Sequence, residues 1–416
     1  MNEMIVQLSR LKSRARGTWA ERITAELEYA TALSKAAGRK YDALLRSSIA
    51  SLASLSDEAG AVTREIVEET EAKLSSLAAA AKGYTLLCAA HAHIDMNWLW
   101  RYDETVSLTL DTFRTMLDLM NEYPGFTFSQ SQASVYRIVE EHDPELLKEI
   151  RRRVKEGRWE VTASTWVETD KNLPCGESLA RHVLYTKRCL ARLFYLAPGQ
   201  LAIDFEPDTF GHSRNVPEIL VRGGVRHYYH CRGYDEHTLY RWQAPSGAEV
   251  LAYRDPFWYN ADVSPAMAAP VPDFCHRHGM DTMLRAYGVG DHGGGPTRRD
   301  IERIIDMDTW PVFPRVRFGT FAEYFAFAEK VRERLPAVRR ELNPVFTGCY
   351  TTQTRIKAAN RTAEARLAEA EAFSSAAAIA AGGRYRADVF GRAWEKVLFN
   401  QFHDILPGSG TVDTRE

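Results

Sequence analysis

Two spacings of apolar residues divide the chain. From residue 1 to about 82, apolar positions recur at helical intervals, as in Ile23, Leu27 and Ala30 and again in Leu74 and Leu77, among Ala, Leu, Glu, Lys and Arg. This predicts an all-helical N-terminal leader, interrupted near Gly38 and Gly60. Its polar faces carry mixed charge without ligand spacing, so it reads as scaffold. From Tyr84 onward, short apolar runs alternate with amphipathic stretches, as strands of a parallel sheet do when helices join them. Strands are predicted at 84–93, 126–131, 159–165, 201–207, 227–232, 249–254 and 283–289. One helix between them is punctuated at both ends. Asp143 can cap it, Pro144 suits its first turn, Leu146, Leu147, Ile150 and Val154 form the buried stripe, and Gly157 ends it. Beyond Asn343 the strand pattern fades, and 353–402 is again helical, with a break at Gly382-Gly383. About seven strands suit a barrel or a large open sheet.

In such folds chemistry collects at the carboxyl ends of the strands. There the polar residues cluster: His91-Ala-His93-Ile-Asp95 with Trp98 and Trp100 after the first strand, and Gln130 to Ser134 after the second. Glu168 and Asp170 follow the third, Asp208 the fourth, Arg232 the fifth, Trp258 the sixth and Asp291 the seventh. The period of two puts His91, His93 and Asp95 on one strand face. Imidazole and carboxylate are zinc ligand types, and a catalytic zinc keeps one position open. His93 and Asp95 supply two ligands on this rim, Asp208 can reach it, and His403 of the late Asn400-Gln-Phe-His-Asp404 stretch can be delivered by a helix. Together they make an oxygen and nitrogen site suited to one zinc or a similar divalent ion. His91 is then a supporting residue, although spacing alone allows it to replace His93. The ordinary reading of HxH is two histidines satisfied in a core, and that of His403-Asp404 is a polar helix end; the carboxylate beside the histidines favours the metal.

Composition narrows the function classes. The chain has 416 residues, enough for one large α/β domain plus accessory elements, since single cores stop growing at about 250–300 residues. With 45% hydrophobic and 26% charged residues and a formal net charge of −2, it offers no bulk electrostatic case for nucleic acid or a membrane surface. Six scattered cysteines without a CxxC read as reduced thiols. Met1 to Gly17 lacks a secretory apolar core, and no apolar run is long enough to span a bilayer. A cytoplasmic protein is expected, and homo-oligomerisation is left open.

Retaining glycoside hydrolysis needs a nucleophilic carboxylate and a second carboxyl group as acid/base. Asp208 and Asp291 are the natural pair, each after a buried strand and each followed by a glycine (Gly211, Gly293). Glu168, Asp170, Glu206 and Asp404 remain candidates that sequence does not rank. Gly288-x-Gly290-x-x-Gly293 formally matches a dinucleotide fingerprint, but Asp291 would set a negative charge where pyrophosphate should lie. Thr297 with Asp300 more simply opens a helix with a capping box.

Four stretches in this order, HAHIDMNWLW at 91–100, EPDTFGHS at 206–213, GDHGGGPT at 290–297 and NQFHD at 400–404, resemble the class II α-mannosidases, glycoside hydrolase family 38. The likeness runs from about residue 84 to the end, and the glycine-rich loop is nearer to the bacterial and archaeal branch. The resemblance implies a seven-stranded α/β barrel over 83–345, after the helical leader of 1–82, and a helical bundle segment over 346–416 that family members continue for several hundred residues. It implies His93, Asp95, Asp208 and His403 as ligands of one zinc, Asp208 also as nucleophile and Asp291 as acid/base. Trp98 would lie under the sugar and Asp404 would bond its hydroxyls, while Glu168, Asp170, Arg232 and Trp258 would line the substrate rim. The implied substrate is an α-mannoside. Two other readings stand beside it: a metal-dependent amidohydrolase-type enzyme, which should show more strand-end histidines, and a silent carbohydrate-binding fragment whose zinc only holds its shape.

Overall fold

The structure is a computed structural model and describes residues 2–14, 16–343 and 345–414. It is a mixed α/β fold. Its strands are β1 (Thr85–Ala90), β2 (Phe128–Gln130), β3 (Trp159–Val161), β4 (Ile203–Glu206), β5 (His227–His230), β6 (Leu239–Gln243), β7 (Glu249–Arg254), β8 (Thr282–Tyr287), β9 (Arg315–Gly319) and β10 (Ala337–Val338). All seven expected strands are present, most of them shorter than the apolar runs that announced them, and β6, β9 and β10 are additional.

The chain forms two compact units. One comprises residues 1–89, 262–287 and 297–334, the other residues 90–261, 288–296 and 335–416. The first holds the three-stranded sheet β8-β1-β9, in which β1 runs parallel to β9 with Thr85 opposite Arg315. Its helical part begins with Asn2–Arg14, Thr18–Ala36, Asp42–Ala59 and Arg64–Lys73. Gly38 and Gly60 end two of these helices at φ of +68° and +70°, a conformation that costs glycine little. Inside this unit Glu26 is fully buried, accepting the Val312 N–H at 2.9 Å, while neighbouring Glu71 takes Nε and Nη2 of Arg22 at 2.6 and 2.9 Å.

The second unit holds the five-stranded sheet β10-β6-β7-β5-β4 and the pair β2-β3. β4, β5 and β7 are parallel in register, with Glu206 opposite His230 and His230 opposite Arg254. β6 is antiparallel to β7, Trp242 opposite Val250. It is the first strand of a hairpin whose turn, Ala244 to Ala248, includes Pro245, Ser246 and Gly247. The strands thus lie in three separate sheets, and in the largest β6 and its parallel neighbour β10 run against β4, β5 and β7, so hydrogen bonding does not draw a closed parallel barrel. The reason is local: a two-stranded hairpin stands where a parallel barrel would need a crossover helix. Tyr228, Tyr240, Trp242, Val250 and Leu342 fill the core under this sheet. Beside the smaller sheet, Trp159 packs against Phe113 and Phe128, its Nε1 donating to the Tyr136 hydroxyl at 3.0 Å. The punctuated helix runs Pro144–Lys155. Asp143 Oδ1 accepts the Leu146 N–H at 2.9 Å, Leu146, Leu147 and Ile150 are buried, Val154 is half-buried, and Gly157 stops the chain at φ +73°. The late helices run Thr354–Ala381 and Ala387–Phe399, broken at Gly382 as expected. Among the described residues no helix is long and apolar enough to cross a membrane.

Candidate metal centre and active site

The second unit collects the chemistry of several strand ends at one place. After β1 the chain runs extended through His91, His93 and Asp95, and glutamines hold it open: Gln130 Nε2 donates to the Ala92 carbonyl at 3.1 Å and Gln132 Nε2 to that of Ile94 at 2.9 Å. On its other side runs the glycine-rich loop. The Asp95 N–H donates to the Asp291 carbonyl at 2.9 Å and the Gly293 N–H to that of His93 at 3.0 Å. Gly293 sits at φ +73°, and a Cβ there would lie 2.6 Å from Thr112 Oγ1, so only glycine lets the two segments lie this close. Asp291 is at φ +69°, a left-handed conformation an Asp tolerates at some cost. Its Oδ1 accepts the Tyr259 hydroxyl at 3.1 Å.

His93 is completely buried. Its Nε2 lies 2.9 Å from Asp95 Oδ1 and its Nδ1 2.8 Å from Glu168 Oε2. His403, also completely buried, gives its Nδ1 proton to the Glu168 carbonyl at 2.8 Å. That leaves the lone pair on Nε2, which stands 3.5 Å from Asp95 Oδ1, 3.8 Å from Asp208 Oδ2 and 3.6 Å from Asp404 Oδ2. The two imidazoles stack at 5.4 Å. Nε2 of both histidines and Oδ1 of Asp95 are buried, and none makes a properly oriented hydrogen bond. Buried polar atoms are rarely left so. Donors around a tetrahedral zinc at 2.0–2.2 Å are separated by roughly 3.3–3.6 Å; the spacings here, 2.9–3.8 Å, bracket that range, and the donor types are ones a divalent cation takes. The electrostatics agree. Burial opposes charge on His93, yet Glu168 and Asp95 outweigh it and hold its pKa well above the ordinary value. His403 is likewise pushed up to about 10, burial being overcome by Asp95, Asp404 and Asp208. The pocket calls for positive charge, and bound metal would replace those protons.

Asp208, after β4, is raised by burial against the opposing pull of His403, His93 and Arg232. Arg232 holds its Oδ1 from Nε and Nη2, each at 2.5 Å, and its guanidinium lies 4.5 Å from the Trp258 ring centre and 4.9 Å from that of Phe346. Trp258 itself is at φ +98°. Asp404 accepts a short hydrogen bond from Ser409 through Oδ1. Trp98 is half-buried, edge-on to Trp100 at 5.9 Å.

The structure thus draws together His93, Asp95, Asp208, His403, Asp404 and Asp291, and it sets Arg232 and Trp258 beside Asp208. Glu168 and Asp170, expected on the substrate rim, are both fully buried. Glu168 backs both histidines, accepting His403 through its carbonyl and facing His93 with its carboxylate, which also accepts from Ser131 Oγ at 2.5 Å. Asp170 closes its own loop, Oδ1 accepting the N–H groups of Asn172 and Leu173 at 2.9 and 2.6 Å. Behind Glu168, Ser131 Oγ is 3.2 Å from His91 Nε2, which makes His91 a support one step further from the donors. Tyr259, Ser131 and Lys171 lay outside the candidate set; none has a diagnostic spacing, although Tyr259 follows a strand end directly.

Residues 84–347 match the profile of the glycosyl hydrolases family 38 N-terminal domain, and residues 344–415 that of the alpha mannosidase middle domain. Alpha-mannosidase G of Dictyostelium discoideum is 34% identical over 330 residues, covering 77% of this chain and 30% of the relative. Alpha-mannosidase 2C1 of Homo sapiens is 31% identical over 339 residues, covering 78% and 32%. The chain therefore spans about a third of the length of the curated relatives it matches. In fold it is similar to an alpha-mannosidase from Enterococcus faecalis V583, with a TM-score of 0.69 at 21% identity over 80% of this chain and 40% of that one. With two adjoining profiles covering everything from residue 84 to residue 415, the chain belongs to glycosyl hydrolase family 38.

Proposed function

We propose that the chain carries the catalytic centre of a retaining, zinc-dependent α-mannosidase. The observation that carries this reading is the set of buried, unsatisfied donor atoms of His93, Asp95 and His403 beside a carboxylate, Asp208, whose other oxygen is held by Arg232. His93, Asp95, Asp208 and His403 would hold one zinc ion. When bound, it supplies Lewis-acid attraction for a pair of adjacent sugar hydroxyls, which suits the cis 2- and 3-hydroxyls of mannose.

The protein groups divide the remaining work. Arg232 fixes the Asp208 carboxylate in one orientation and, with His403 and His93, opposes the effect of burial on it. In the first step an Asp208 oxygen bonds to the anomeric carbon as the bond to the leaving oxygen breaks, and Asp291 passes its proton to that oxygen. In the second, Asp291, now a carboxylate, takes a proton from water, whose oxygen displaces Asp208. Tyr259 holds Asp291 Oδ1, leaving the other oxygen to carry the proton. Trp98 offers the sugar a flat apolar face and Asp404 accepts from its hydroxyls, whereas Glu168, Asp170 and His91 act as supports.

The test is metal analysis together with hydrolysis of an aryl α-mannoside by this chain and by Asp208→Asn. One zinc per chain and aryl alcohol release that Asp208→Asn reduces to background are expected. A chain that binds zinc but releases no aryl alcohol overturns the enzyme reading, and release unaffected by Asp208→Asn overturns the nucleophile.

A further inference from the structure

Gln401 sits two residues before His403, is completely buried, and touches no donor atom of the metal centre. Its side chain is the middle of a hydrogen-bond chain with a single possible polarity. The Trp166 N–H donates to Nδ1 of His182 at 3.2 Å. A backbone N–H can only donate, so Nδ1 carries the lone pair. Burial keeps the ring neutral, with its pKa pushed down to about 3. Nε2 therefore carries the proton and donates to Gln401 Oε1 at 3.1 Å. That fixes the amide: its nitrogen donates to Asn360 Oδ1 at 2.8 Å and to Glu364 Oε1 at 3.1 Å. Glu364 Oε1 in turn accepts the Cys175 N–H at 2.9 Å and the Ser178 hydroxyl at 2.7 Å, at the start of helix Gly176–Phe194.

The main chain of Gln401 faces the loop that backs the site. Its carbonyl accepts the Asp170 N–H at 2.9 Å and the Thr169 hydroxyl at 3.0 Å. Thr169 and Phe402 form an antiparallel bridge. One residue further, the His403 N–H donates to the Glu168 carbonyl at 3.2 Å. The turn that carries His403, just after helix Ala387–Phe399, thus lies side by side with the bend that carries Glu168. The two main-chain bonds among these do not by themselves specify register, because every residue carries the same backbone donor and acceptor. The buried amide does, because its oxygen and nitrogen have different partners on two helices, His182 on one and Asn360 and Glu364 on the other.

We infer that Gln401 is a positioning residue for His403: the His182–Gln401–Glu364 chain sets the register of residues 400–404 along residues 166–170, and through it the place of the His403 donor nitrogen. This rests on the metal-dependent reading above. Bound zinc accepts ligand distances within about 0.2 Å, so a shift too small to unfold the chain is large at the metal. Outer-shell partners of metal ligands typically change affinity by about 10–100-fold.

The test compares zinc dissociation constants, measured by chelator competition, for the wild-type chain, Gln401→Met, His182→Phe, the double variant, and Ser178→Ala. Ser178→Ala removes a hydrogen bond to Glu364 but leaves the His182–Gln401 link. The absorption of the cobalt-substituted proteins reports the ligand set without any turnover. Gln401→Met and His182→Phe are each expected to weaken zinc binding about tenfold or more and to alter the cobalt spectrum. The double variant should be no weaker than the worse single, since both break one link, and Ser178→Ala should lower the melting temperature while keeping affinity and spectrum. Wild-type affinity and an unchanged spectrum in Gln401→Met overturn the inference, as does a loss in Ser178→Ala equal to that in His182→Phe. If Gln401→Met fails to fold, His182→Phe alone decides by the same criteria. A wild-type chain that binds no zinc overturns the proposed function instead, a distinct outcome.

Discussion

Replacing Lys171 by methionine should be among the most damaging single changes away from the donor atoms. Lys171 is 2% exposed, and its Nζ lies 2.9 Å from Asp204 Oδ2 and 2.8 Å from Glu206 Oε1, both carboxylates being fully buried. Burial, only partly opposed by Lys171, pushes the Glu206 pKa up to about 8, so at pH 7 the ion pair is chiefly that of Lys171 with Asp204. At an effective dielectric constant of about 20 it is worth roughly 6 kcal/mol of gross attraction, most of which only offsets the cost of burying the two ions, so it adds little net stability. Its removal is another matter. Methionine matches the length and leaves Asp204 buried beside Glu206 without its cation, and breaking such a buried pair costs about 3–5 kcal/mol. Ser164, Thr165 and Thr209 still donate to these carboxylates, at 2.8, 3.1 and 2.6 Å, which favours the lower end of that range. The assay is urea unfolding at pH 7 followed by tryptophan fluorescence, with an unchanged m value showing that the same transition is read. Asp204→Asn in the Lys171→Met background removes the stranded charge and should restore a substantial part of the loss. A cost below about 1 kcal/mol for Lys171→Met, or no recovery in the double variant, would refute the reasoning.

Glu26→Gln tests a buried carboxyl group of the first unit. Burial, reinforced by Glu71, holds the Glu26 pKa well above the ordinary range. The folded chain thus keeps this proton longer than the unfolded chain, and the associated stability is complete below the unfolded value of about 4.3 and lost as pH rises through the folded one. Glutamine keeps an acceptor for the Val312 N–H and removes the titration, so stability measured from about pH 4.3 upward should fall less steeply than in the wild type; parallel curves would contradict this. Gly293→Ala meets Thr112 Oγ1 at 2.6 Å and Ile94 Cγ1 at 3.1 Å, in a backbone region that costs a non-glycine residue about 1–2 kcal/mol. It should cost more than about 2 kcal/mol in denaturant unfolding and weaken zinc binding through its bond to the His93 carbonyl, and a variant as stable as the wild type would show that the loop relaxes freely.

Local chemistry was readable from the sequence, and distant pairing was not. The helix Pro144–Lys155, the capping box of Thr297 with Asp300 and the breaks at Gly38, Gly60 and Gly382 are each settled by a few neighbouring residues. The strands end early, because apolar residues continue past the last ladder bond into the extended segments that carry the site. β6 left a trace, an alternating Leu239–Gln243 followed by Pro245-Ser-Gly247, the ordinary sign of a hairpin. β9 left a short one, the alternation Arg315-Val316-Arg317-Phe318, too brief to stand out beside the longer apolar runs. Strand-end position singled out His93, Asp95, Asp208 and Asp291. What it could not do was tell Glu168 from Asp404, since a carboxylate that backs a histidine and one that faces a pocket are the same residue type. The difference arises only when Ser131 and two imidazoles occupy the space around Glu168. Gln401 and Lys171 were silent for the same reason: a single buried polar residue is defined by its partners.

The hold of Glu168 on both histidines also has a bearing on how the protein is made. Glu168 and His403 are 235 positions apart, and at about 5–20 residues per second a ribosome needs roughly 10–50 s to travel from one to the other. During that interval His93, Asp95 and Glu168 are already outside or emerging, with their carboxylates gathered and their last histidine not yet synthesised. A cation captured then would be held by an incomplete set and exchange readily. Selection of a metal by these donors would thus wait until the segment containing His403 docks and completes the set.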